Sequence, residues 1–380
     1  MKVTQKIIRK PADLAVQLAT IAANDPDLLL VFGSIEHLNN PGLTDALRTA
    51  APRAAQLGCT TAGEITTEGV DDNTCTLTAV HFDKTTLTQA STPLNGMEDS
   101  FAAGERLGKQ LAAPDLKAIL VFGPGVQING SALVDGISRV VGNDLPITGG
   151  LAGDGGAFKQ TFTLGQNGVG DNTVVAVGLC SDDLVFGHGS FGGWEPFGPA
   201  RKVTRCEGNI LFELDGEPAL AVYKRYLGEH AKDLPSSGLL FPFAMLGDDH
   251  SAMGLIRTIL GIDEVTGSLT LAGEINLNGY LKLMHASTDK LVNGAESAAE
   301  AAALMQKNAG DTLAILVSCV GRKLVMGSRV DEEVDAVSDV FGNKSVLTGF
   351  YSYGEISPFS PGSSCKLHNQ TMTITCIGEA

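Results

Sequence analysis

Gly58-Cys-Thr-Thr-Ala-Gly63-Glu64, Gly149-Gly-Leu-Ala-Gly153-Asp154 and Gly349-Phe-Tyr-Ser-Tyr-Gly354-Glu355 are three versions of one glycine-bracketed turn, each closed by a carboxylate. Working outward from them, the same elements recur in the same order. A short apolar strand precedes each turn: Leu28 to Gly33, Ala118 to Gly123 and, more loosely, Leu313 to Ser318. An amphipathic helix is read before each strand, over 12–24, 100–112 and 295–308. A second helix follows the strand; in the second copy Leu133, Ile137, Val140 and Val141 fall on one face of a 3.6-residue period. After each turn an Asn/Thr start opens an alternating strand, at Asn73-Thr74, Asn172-Thr173 and Asn369-Gln370-Thr371. Self-similarity of this kind marks a repeated architecture. A strand–helix–strand order favours a right-handed parallel crossover, and the Asn/Thr strand can pair antiparallel beside it. The expected fold class is α/β (α+β), with helix-strand-helix-strand-strand units forming mixed sheets covered by helices.

Residues 184–290 interrupt the repeat and read as strands around two helices, Pro218 to Glu229 and a shorter one near Ala252 to Leu260. A boundary near residue 221 divides the chain into 1–221 and 222–380.

The 380 residues suffice for two or three domains at roughly 100 to 200 residues each. Apolar runs are short, so no membrane span is expected, and Met1 to Lys10 carries no signal-peptide pattern, which predicts a cytoplasmic protein. A net charge of −16 disfavours nucleic acid and anionic membranes. Seven cysteines form no Cys-x-x-Cys pair, which argues against structural zinc and covalently attached haem. No nucleophile elbow, Walker, zincin or dinucleotide motif is present, and Cys59 has no base placed beside it, so no catalytic residue is assigned.

Candidate binding residues come from context. Glu355 lies within five residues of Tyr351 and Tyr353, an acceptor beside two amphipathic aromatic donors that suits a small ligand carrying an amine, or makes a structural corner. For Glu64 and Asp154 a capping role is expected. Arg257 sits in an apolar run and needs a partner, either a carboxylate such as Glu355 or Glu274 or that of a ligand. Among seven histidines, His188, flanked by glycines near Phe186, Phe191 and Trp194, and His368, before Asn369, suit an imidazole in a close apolar pocket of the kind a haem needs.

The chain resembles the FIST sensory domain family over essentially its whole length, on Leu57 to Glu64, Ile147 to Asp154, Ile256-Arg257, Thr348 to Glu355 and Leu367 to Ile374. The resemblance implies a FIST N-type domain over 1–221, a FIST C-type domain over 222–380, and binding of a small ligand, with amino-acid-like ligands the general class. No residues are left for an output domain, so a signal would pass in trans to a separate protein such as a histidine kinase. That is the arrangement of stand-alone bacterial members similar to haem-containing nitric-oxide sensors. Haem b with nitric oxide is therefore the first expectation, with His188 and His368 as ligand candidates. A small carboxylate or amino acid at Arg257, Tyr351, Tyr353 and Glu355 is the second, and an enzyme using Cys59 or Glu355 the third.

Overall fold

In each unit one apolar core strand lies between a parallel and an antiparallel partner. Leu28–Gly33 runs beside parallel Ala55–Thr60 and antiparallel Cys75–His81. Leu116–Gly123 has Ile147–Leu151 and Thr173–Cys180 in the same roles, and Thr312–Cys319 has Ser345–Ser352 and Met372–Glu379. The computed structural model describes residues 1–247, 249–306, 312–342, 345–360 and 362–380. Within it each unit also opens with an edge strand absent from the expected order: Lys2–Ile8, Thr86–Pro93 and Leu184–Phe191.

The turn glycines are where they are because the parallel strands approach closely. A Cβ on Gly58, Gly149 or Gly349 would run into the backbone oxygen of Val31, Val121 or Leu316 respectively, the same position in each unit. Beyond the turn the chain leaves its own sheet. The hairpin Glu64–Thr66/Gly69–Asp71 pairs with Ser345–Ser352 of the third unit. Thr163–Gly165/Gly168–Gly170 pairs with Ala55–Thr60 of the first, and Gly354–Pro358/Cys365–His368 with Ile147–Leu151 of the second. Three six-stranded sheets thus exchange hairpins in a closed cycle.

The inner faces meet in an aromatic triangle of Phe32, Phe122 and Phe350, with ring centroids 4.8 to 5.5 Å apart. Helix pairs cover the outer faces: Leu14–Ala22 with Leu43–Ala50, Ser100–Leu111 with Gly130–Val141, and Thr288–Leu304 with Asp331–Phe341. Among the described residues no helix is long and apolar enough to cross a membrane.

The insertion falls inside the third unit, between its edge strand and its first helix. It is an antiparallel sheet wrapped on the helix Ala219–Leu227, which forms within the expected Pro218 to Glu229 and buries Leu220, Tyr223 and Leu227. The second helix expected there does not form. Ala252–Arg257 and Ile259–Asp263 are strands, because the run is rich in residues that suit a half-buried sheet and is too short to be told from a helix by periodicity.

Candidate functional site

The carboxylates that close the first and third turns sit in matching clamps. Glu64 accepts from the Thr61 hydroxyl through one oxygen and from the Thr74 N–H (2.9 Å) and hydroxyl (2.8 Å) through the other. Glu355 accepts from Ser352 Oγ at 2.6 Å and from the Thr371 N–H and hydroxyl at 3.1 and 3.0 Å. The residues before those threonines, Asn73 and Gln370, share a positive φ of 61° and 64°. Burial pushes the Glu355 carboxyl up to about 7 despite these bonds. Asp154 differs: its oxygens accept the N–H groups of Phe158, Lys159 and Gln160, capping the turn as expected.

The two tyrosines beside Glu355 do not converge with it. Tyr351 donates to Glu333, in a fully buried group with Arg322 (Nη2 to Oε2, 2.7 Å) and Ser318 (2.9 Å). Nothing in the local sequence of Arg322 or Glu333 signals this pairing, because it joins two helices across a strand. Tyr353 donates to Asp154, accepts from the Gly156 N–H at 3.0 Å, and stacks on Phe158 with centroids 4.0 Å apart.

Arg257 is buried, yet its partners are not the expected carboxylates. Nε donates to the Glu274 carbonyl at 3.1 Å and Nη1 to the Ile256 carbonyl at 3.2 Å. Burial lowers the guanidinium pKa to about 10, opposed by the charge of Glu274. The Glu274 side chain is turned to the surface, where it accepts from Asn129 Nδ2 at 3.1 Å.

That Asn129–Glu274 contact closes one end of a cleft of about 120 Å³ between the second unit, the third-unit hairpin and the insertion. Leu151, Tyr353, Leu367 and Leu271 form its apolar walls, and exposed Met97 and Leu260 its rim. Gly273 lines the cleft directly over the Arg257 guanidinium; a Cβ there would lie 2.8 Å from Nε. Of the expected ligand set, Tyr353 and, beneath Gly273, Arg257 meet at this cleft, whereas Tyr351 and Glu355 do not line it.

His188 and His368 are both buried. His188 projects from the face opposite Gly187 and Gly189, which let the helix Thr288–Leu304 lie on the strand. His368 Nε2 bonds to the Ser357 carbonyl at 2.9 Å, and burial lowers its pKa to about 4, which keeps the ring neutral. The Nδ1 atoms of both rings have no hydrogen-bond partner among the described residues, the right donor chemistry for iron. Neither ring lines the junction cleft or a larger one of about 410 Å³ over the second unit. Cys59 is fully buried, and burial pushes its thiol up, against use as a nucleophile. No group of three metal-ligating side chains occurs among the described residues.

This arrangement belongs to a class of sensory proteins. Residues 27–217 match the FIST N domain and 219–358 the FIST C domain, and the chain belongs to the FIST family, whose domains sense small ligands. An uncharacterized protein of Methanocaldococcus jannaschii is 39% identical over 25% of this chain and 19% of its own length. An uncharacterized protein of Mycobacterium tuberculosis is 29% identical over 44% of each. The chain therefore spans less than half the length of these relatives. The crystal structure of a cyanuric acid hydrolase from A. caulinodans aligns over 100% of this chain and 98% of that one, with a TM-score of 0.36 and 12% identity.

Proposed function

We propose that the protein is a small-ligand sensor whose ligand sits in the junction cleft and whose output passes to a separate signalling protein such as a histidine kinase. The observation that carries this reading is the composition of the cleft: Met97, Asn129 and Leu151 come from the FIST N segment, and Leu260, Glu274 and Tyr353 from the FIST C segment. A ligand held by both segments shifts the population of their relative arrangements in proportion to its differential affinity, which is what a sensor requires. The volume is close to the roughly 150 Å³ cavity that admits benzene, so the ligand is small. Glu274 offers an acceptor for an ammonium group, and Arg257 beneath Gly273 lends positive charge to the floor. An amino acid with a short apolar side chain, or a small amine or carboxylate, suits that surface.

Thermal-shift measurements with amino acids and small amines should raise the melting temperature, since ligands that bind only the native state stabilise it. Leu260→Trp, at the exposed rim, should abolish the shift without unfolding the chain, and Glu274→Gln should weaken binding of amines. Stabilisation that survives both variants overturns the junction assignment. The unpartnered Nδ1 atoms of His188 and His368 support a second reading, a haem b sensor of nitric oxide that opens around one of these rings. A Soret band in protein from a haem-replete host, lost in His368→Ala or His188→Ala, would favour it; a colourless protein that takes up no added haem would exclude it.

A further inference from the structure

The second unit lacks an element that the other two possess. After its core strand the first unit passes from Ser34 straight into the short helix Ile35–Leu38, and the third from Cys319 into Val320–Met326, each packed on neighbouring core strands. In the second unit Pro124 to Asn129 run as a loop directly into Gly130–Val141. The crevice beyond the carboxyl end of Leu116–Gly123, where the neighbours change from parallel to antiparallel, is left open as a cleft of about 410 Å³. Such crevices are where α/β sheets bind ligands, and this volume falls within the ~300–1,000 Å³ of metabolite-sized sites.

We propose that this cleft is a second ligand site, separate from the junction cleft, and that it takes a polyhydroxylated small molecule with one acid group, of the sugar-acid class. Three carboxamides line it, those of Gln127, Gln160 and Asn172. Gln127 and Asn172 present both donors and an acceptor, and Gln160 an acceptor and its remaining donor, a set that hydroxyl groups satisfy better than purely charged ligands do. Lys159, exposed and in no ion pair among the described residues, supplies the site for a single negative charge. The Asp171 carboxylate is engaged by Gln160 Nε2 at 3.3 Å, so it orients that amide. Leu94, Pro124 and Val126 give an apolar surface for the C–H face of a sugar ring. Gln127 has a φ of +57°, a left-handed conformation in which glycine is at ease and glutamine is strained. Strain held at a cleft wall is what a working side chain leaves behind.

The strain supplies a clean test on the full chain, using titration calorimetry with glucuronate and, for comparison, uncharged glucose. Glucuronate should bind. Gln127→Gly relieves the strained φ, so the melting temperature should hold or rise while glucuronate affinity falls about tenfold. Lys159→Gln should weaken glucuronate about fivefold and leave glucose unchanged, whereas Leu260→Trp and Glu274→Gln in the junction cleft should leave both unchanged. The proposal is overturned if glucuronate, galacturonate and gluconate all give no binding heat, or if binding is unaffected by Gln127→Gly and Lys159→Gln. It is equally overturned if binding is lost in Leu260→Trp, which would place the sugar in the junction cleft.

Discussion

Glu355 shows how one buried side chain writes itself into the behaviour of the whole protein. Its carboxyl is raised from 4.5 to about 7, chiefly by burial, so the folded chain holds a proton there that the unfolded chain releases. The native state therefore enjoys the full benefit of a protonated Glu355 below about pH 4.5 and loses on the order of 3 kcal/mol of it as pH rises to about 7. Above that value no further loss from this group is expected. Urea-denaturation midpoints of the native protein and Glu355→Gln, taken at pH 5 and pH 7.5, check this: the variant should gain on the native protein as pH rises. A constant difference between them would show that the clamp of Ser352 and Thr371 holds the carboxylate ionised throughout.

At the scale of elements, glycine patterning governs how closely helices and strands approach. Gly189 faces the backbone of Ala298 so tightly that any side chain must push the helix Thr288–Leu304 off the strand Leu184–Phe191. Gly189→Ala should therefore cost about 1–3 kcal/mol or more, read as a lower melting temperature and urea midpoint, although alanine is the smallest possible addition. The turns Gly58 to Glu64, Gly149 to Asp154 and Gly349 to Glu355 were legible in the sequence for the same reason: close approach demands glycine, and the demand repeats. So were the core strands and the helix beginning near Pro218. The three edge strands were not, since Thr86–Pro93 and Lys2–Ile8 alternate polar and apolar residues weakly. The run Ala252 to Leu260 was ambiguous because a short apolar segment fits either structure. Arg257 looked in need of a carboxylate, and only the fold shows that two backbone carbonyls receive it. Neither cleft is legible in the sequence, because Asn129 and Glu274, or Leu94 and Lys159, are brought together by the topology and not by any spacing along the chain.

At the scale of the molecule, the FIST N and FIST C segments are interleaved. The hairpin Glu64–Asp71 pairs into the third sheet, Gly354–His368 into the second, and the edge strand Leu184–Phe191 pairs with Met372–Glu379. A fragment ending at residue 217 would expose the edge of Ile147–Leu151 and leave its own hairpin without a sheet, so it should not fold alone. Far-ultraviolet circular dichroism and gel filtration of that fragment check this, and a monomeric, cooperatively melting fragment would show that the exchange is dispensable.

The closed cycle of exchanged hairpins also sets a timetable for synthesis. The strand that receives the first unit's hairpin, Ser345–Ser352, leaves the ribosome long after the hairpin itself, so the first unit waits for the third before its last edge is covered. Long-range pairings of this kind close slowly. Until the third unit has been made, the nascent chain accordingly carries open strand edges, and the cycle of hairpins closes only after Ser345–Ser352 is available.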